Sequence, residues 1–214
     1  MKVKANGISF HCQVDGRDGA PWLVFSNSLA TNLSMWDAQT EALRDHFHIL
    51  RYDQRGHGGT DAPDGAYEFD QLIADAVALL DAFEIKRTHF VGLSMGGMAA
   101  MVEPTIARWF PAEFIAANPT VIEKVRAMIR TTPAAGFIGC ALALSNFDLR
   151  PGLGAIKHDM LFMCGSKDAS LAGTKALHAA VAGSKLVEIP GAGHISNLEN
   201  ADLFTRTLKD FLTG

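Results

Sequence analysis

A chain of 214 residues that is 48% apolar is long enough to bury one sizeable core, and its net charge of -4 comes without any block of like charge. That balance argues against a nucleic-acid footprint or a membrane-surface patch. No apolar run approaches the ~20 residues that a transmembrane helix needs. Cys12, Cys140 and Cys164 are odd in number, widely spaced and without a Cys-x-x-Cys pair, so free, buried thiols are expected. The N-terminus, Met-Lys-Val-Lys-Ala-Asn-Gly-Ile, lacks the long apolar centre of a signal peptide, which makes a soluble cytoplasmic protein the expectation.

In chain order, Val3 to Val14 alternates loosely and breaks at Asn6-Gly7, the pattern of a β-hairpin. Trp22-Leu23-Val24-Phe25 is a continuous apolar run, as in a strand covered on both faces of a parallel sheet, and it empties into Ser26-Asn27-Ser28-Leu29-Ala30-Thr31-Asn32. Trp36 to Phe47 reads as a helix with Trp36, Leu43 and Phe47 on similar faces. His48 to Asp53 reads as the next strand, followed by Gln54-Arg55-Gly56-His57-Gly58-Gly59-Thr60. Between Phe69 and Phe83, Leu72, Ile73, Ala76, Leu79, Leu80 and Phe83 recur at helical spacing and predict one apolar face. A strand then leads to Gly92-Leu93-Ser94-Met95-Gly96. Strand and helix therefore alternate through the first half, which predicts parallel βαβ units and an α/β fold.

From about Glu103 to Phe147 the pattern is helical and punctuated by prolines. Strand character returns at Met160 to Gly165, stopping at Ser166-Lys167-Asp168. A helix from about Thr174 to Val181, a strand over Lys185 to Ile189 and a closing helix with Leu203, Phe204, Leu208, Phe211 and Leu212 follow. The predicted organisation is an α/β core over residues 1–102, a short helical cap over 103–148 and the rest of the core over 149–214.

Gly-x-Ser-x-Gly between a strand and a helix suits a sharp, strained turn that presents the Ser94 hydroxyl. Asp168 and His194 each follow a later strand, so all three lie beyond carboxyl ends of parallel strands, where open α/β sheets place ligands. A serine is a poor nucleophile until a base takes its proton, and the imidazole needs a carboxylate to set its tautomer. Asp159 is the competing acid, but it precedes its strand. The N–H groups of Met95 and Leu29 are the expected oxyanion donors. His57 is expected to be structural, bonding backbone around its own turn. No histidine spacing argues for a metal, and Met95, Met98 and Met101 read as packing.

Taken together, Ser26-Asn27-Ser28-Leu29, Met35-Trp36, Arg51-Tyr52-Asp53, Arg55-Gly56-His57-Gly58, Gly92 to Gly97, Arg108-Trp109-Phe110 and His194-Ile195-Ser196-Asn197 span nearly the whole chain. On these stretches the sequence resembles the α/β-hydrolase superfamily, and within it the 3-oxoadipate enol-lactonases of aromatic-compound catabolism (the β-ketoadipate pathway). The resemblance implies an α/β-hydrolase fold with a mostly parallel sheet, a cofactor-free serine esterase or lactonase, and Ser94, Asp168 and His194 as catalytic triad. Such a substrate carries a free carboxylate, for which Arg108, Arg126, Arg130 and Lys167 are candidate cations. Trp109 suits cap core and pocket wall equally. Against the family's order of elements, about 40 residues have no counterpart here: the end of the elbow helix, one strand and the start of the cap. A sheet short of a strand would expose apolar surface unless a partner, such as a second copy, covers it. A carboxylesterase for another small ester, and a shortened inactive relative, are the alternative readings.

Overall fold

The computed structural model describes residues 1–93, 102–145 and 150–214. Two compact units arise, one from Met1–Val102 with Glu123–Phe147 and the other from Glu103–Ile122 with Asp148–Gly214.

In the first unit, β1 (Lys2–Ala5) and β2 (Ile8–Gly16) form the expected hairpin. Its turn residues Asn6 and Gly7 both have positive φ, 40° and 81°, the backbone that two-residue hairpins need and that Asn-Gly supplies at low cost. The hairpin strand β2 then changes partner. Ile8 to His11 pair with β1, and Cys12 to Gly16 pair antiparallel with β4 (His48–Tyr52). β3 (Trp22–Ser26) and β5 (Thr88–Gly92) complete a five-stranded sheet of order β1-β2-β4-β3-β5, with β3 parallel to both β4 and β5. Leu23, Val24, Phe25, Ile49 and Leu50 are buried, as continuous apolar runs demand, and each contributes about 1.5–3 kcal/mol through burial. Phe10, Cys12, Val24, Leu50, Tyr52, Leu79 and Ile85 form the core cluster.

Asn32 caps a 3-10 turn over Leu33–Trp36, which continues into α1 (Asp37–Leu43). Trp36, Leu43 and Phe47 are all buried, but the helix stops at Leu43 rather than Phe47. The Phe47 carbonyl instead accepts the Arg17 N–H at 3.0 Å, tying this corner to the β2–β3 turn.

The apolar face of α2 (Phe69–Ala82) is narrower than its spacing predicts. Leu79 is buried and Ala76, Leu80 and Phe83 pack on the core, yet Ile73 and Val77 are about half exposed, at 49% and 50%. A charge takes the inward position: Asp75 is buried and grips Arg55 through contacts of 2.6 and 2.7 Å. The Asn6 amide also donates to Asp75, at 2.7 Å. Dense hydrogen bonding of this kind is what makes a buried ion pair tolerable.

The middle of the chain is helical, with α3 (Val102–Trp109), α4 (Ala112–Ala117), α5 (Pro119–Thr131) and α6 (Ala134–Ser145), and no strand among the described residues there. Of these, α4 belongs to the second unit and α6 to the first.

In the second unit, β6 (Leu161–Gly165) pairs parallel with β7 (Lys185–Ile189), separated by α7 (Leu171–Ala180) and followed by α8 (Ser196–Glu199) and α9 (Ala201–Thr213). Phe204 and Leu208 carry the buried face of α9. Among the described residues β5 has a single strand neighbour, β3, and Phe90 on it is half exposed. All three cysteines are free and buried, and no described helix is long and apolar enough to cross a membrane.

Candidate active site

The β6 strand delivers Asp168 and the β7 strand delivers His194, both beyond carboxyl ends. The imidazole Nδ1 of His194 lies 2.9 Å from Oδ2 of Asp168. Both side chains are largely buried, so the contact is sheltered from screening. Asp168 is further held by the Ser170 N–H, at 2.8 Å to Oδ1, and by the Ser170 hydroxyl, at 2.7 Å to Oδ2. Burial alone would raise the Asp168 pKa, but hydrogen bonds from His194 and Ser170 outweigh it and hold the carboxyl well below its usual range. The carboxylate stays charged, and an Nδ1–H that donates to it leaves Nε2 as the basic nitrogen. Asp159, the competing acid, is exposed ahead of β6 and makes no such contact.

His194 is also held by its backbone. Its N–H donates to the Trp109 carbonyl at 2.7 Å, and the indole of Trp109 stacks on the imidazole with centroids 6.2 Å apart. Trp109 is only 1% exposed, so its ring backs the histidine rather than forming an open wall. This role had no sequence signal beyond the presence of a tryptophan.

In the first unit, β3 empties into the loop over 26–32. There the Thr31 hydroxyl donates to the Ser28 carbonyl at 2.6 Å, and the Asn27 amide donates to the Thr31 carbonyl at 3.1 Å. The Ser28 N–H points at the Met35 sulfur, 3.3 Å away. Ala30 adopts φ of 57°, a conformation a residue with a side chain keeps only when its surroundings impose it. Within this braced turn the buried Leu29 N–H has no acceptor among the described residues, and neither has the Ser28 hydroxyl. A rigid loop with a free amide is what a preorganised oxyanion donor requires.

Ser94 and Met95, the expected nucleophile and second donor, lie outside the described residues. His57 is fully buried with Nδ1 at 3.0 Å from the Arg55 carbonyl, and burial lowers its pKa, so it remains a neutral brace of its turn. Of the four candidate cations, Arg126 and Arg130 pair with Glu123 and Lys167 pairs with Glu113. Arg108, exposed on α3 one residue before the Trp109 carbonyl, has no ion-pair partner among the described residues. No group of three His, Cys, Asp or Glu side chains among the described residues could hold a metal.

Residues 19–207 match the model of the alpha/beta hydrolase family. The chain is 30% identical to 3-oxoadipate enol-lactonase 2 of Acinetobacter baylyi, over 97% of its own length and 94% of the relative's. That alignment runs to 252 positions, more than the 214 residues of the chain, so the relative carries residues with no counterpart here. Among solved structures, the enol-lactonase from Burkholderia xenovorans LB400 superposes with a TM-score of 0.95 at 34% identity, covering 100% of both chains. A hydrolase from Pseudomonas aeruginosa PA01 gives 0.91 at 32% identity, covering 100% of this chain and 98% of that one.

Proposed function

We propose that the chain, a hydrolase of the alpha/beta hydrolase family, cleaves a small enol-lactone, 3-oxoadipate enol-lactone being the one for which its relatives are named. The observation that carries a serine-hydrolase reading is the bond between His194 Nδ1 and the charged Asp168. It leaves Nε2 free to act as base toward Ser94.

Ser94 attacks the lactone carbonyl as His194 takes its proton. The Leu29 and Met95 N–H groups receive the oxyanion, each such donor contributing about 10²–10³ in rate. The ring opens with an enolate as leaving group, which takes the proton from His194 and tautomerises to the ketone, so the imidazole is neutral again. His194 then activates water against the acyl-enzyme, releasing the open keto-diacid. No cofactor enters this sequence. The guanidinium of Arg108, without an ion-pair partner among the described residues, is the group we assign to the substrate's free carboxylate. Free, buried thiols and the lack of a membrane-crossing helix among the described residues suit a cytoplasmic enzyme.

The test is Ser94→Ala assayed on the enol-lactone beside a panel of neutral aryl esters. Loss of lactone hydrolysis with retained folding is the expected outcome. Undiminished turnover by the variant would sink the serine mechanism, and faster wild-type turnover of aryl esters than of the lactone would overturn the substrate.

A further inference from the structure

The loop that carries His194 is held from both ends by groups outside the Asp168 contact. Glu199, on α8, places both carboxylate oxygens 2.9 Å from the Gly193 N–H, the amide immediately before the histidine. The Ile195 N–H, immediately after it, adds a smaller contribution to the same carboxylate. Between them, the N–H of His194 itself goes to the Trp109 carbonyl at 2.7 Å. The Gly193 and His194 amides are thus taken up by acceptors from two helices. Position 193 must be glycine for this to close, because a Cβ there would strike the same Trp109 carbonyl oxygen.

We propose that Glu199 is a positioning residue for His194, clamping the backbone on either side of the imidazole so that Nδ1 stays on Asp168. The Asp168 contact fixes one atom of the ring, but a ring on a mobile backbone could keep that bond and still swing Nε2 away. Fixing the flanking amides removes that freedom before substrate arrives, which is the condition for efficient proton transfer. Structural bracing alone does not explain the cost. Glu199 is a half-buried carboxyl whose pKa burial raises to about 7 despite the N–H groups that favour its charge. An apolar side chain would be buried here at less cost but would leave the Gly193 N–H unsatisfied.

The inference rests on His194 acting as the base, so its test needs one readout that does not depend on turnover. Glu199→Ala and Glu199→Gln are compared with wild type, the glutamine keeping a carbonyl acceptor of the same length. The first readout is the low-field proton NMR resonance of the His194 Nδ1–H, assigned by its loss in His194→Ala. The second is kcat and KM on the enol-lactone. The expected result is a broadened or lost resonance in Glu199→Ala, with kcat down about tenfold to a hundredfold and KM unchanged, and recovery of both in Glu199→Gln. A folded Glu199→Ala with a wild-type resonance overturns the proposal, as does equal loss in both variants. Failure of wild type to turn over the lactone, with the resonance pattern intact, faults the substrate assignment and leaves the clamp standing.

Discussion

Two buried acid–base pairs, one in each unit, show how the same elements of chemistry serve opposite ends. Asp75 and Arg55 sit 2.6 Å apart with both side chains only 4% exposed. Asn6 donates to the carboxylate, and the guanidinium lies over the Tyr67 ring at 5.7 Å. Arg55 is pushed further up by its hydrogen bonds to Asp75, so the guanidinium keeps its charge. Asp168 and His194 are a little more open, at 7% and 15%, and one member is an imidazole, which can both accept and donate a proton. The strands beneath them differ in the same sense. Strands β3 and β4 of the first unit are nearly all buried, whereas β6 and β7 are mostly half-buried. The first pair is held by the core around it. The second is held by hydrogen bonds in the loops at its strand ends, and its imidazole is engaged there through Nδ1.

The comparison breaks most sharply at Asp168. Asp168→Asn should lower kcat per folded molecule by about 10⁴-fold, because the amide imposes the wrong imidazole tautomer, a loss beyond what any fall in the thermal midpoint accounts for. Steady-state kinetics beside a circular-dichroism melt checks this, and a loss confined to stability would place the pair with Asp75. The converse change, Asp75→Ala, should cost about 3–5 kcal/mol by stranding Arg55 in the core, with kcat per folded molecule unchanged. Urea titration with active-site counting separates the two quantities.

A smaller effect is expected at Arg108. Arg108→Ala should raise KM for the enol-lactone about tenfold and leave that for a neutral aryl ester alone, since a charged hydrogen bond contributes about 1.5–3 kcal/mol. Equal changes for both substrates would remove Arg108 from carboxylate recognition.

The smallest effects lie in pH dependence, where two carboxyls of the second unit should act oppositely. Asp168 is held below its usual 3.8, so its stabilising contribution is present above that value and is lost as pH falls through its folded pKa. Glu199 is raised from 4.5 to about 7, so its contribution is fully present below 4.5 and is lost as pH rises through about 7. Urea midpoints at pH 5 and pH 8 should therefore show Glu199→Gln gaining on wild type at the higher pH. Asp168→Asn should show a shallower loss of stability below pH 4. A Glu199→Gln midpoint that tracks wild type across the range would contradict the raised value.

The order of elements was legible from local pattern because strands covered on both faces must be apolar throughout, as Trp22 to Phe25 is, and because Asn-Gly closes hairpins. Asp168 and His194 were legible for a related reason: each directly follows a strand, and strand ends in such sheets are where side chains converge. The sequence likewise pointed to free cysteines and to a loop at Leu29. Spacing could not find what depends on distant approach. Asp75 interrupts an otherwise apolar helix face, and only the arrival of Arg55 from another loop makes that tolerable. Ile73 carries the same helical spacing as Leu79 yet lies half open. Glu199 reads as an ordinary helix acid until its carboxylate is seen on the Gly193 amide, and Trp109 acts on His194 through a carbonyl that every residue possesses. Side-chain identity was written in the chain, but the partners of buried charges and backbone amides were decided by tertiary structure, because a hydrogen bond depends on where two groups meet and not on what either one is.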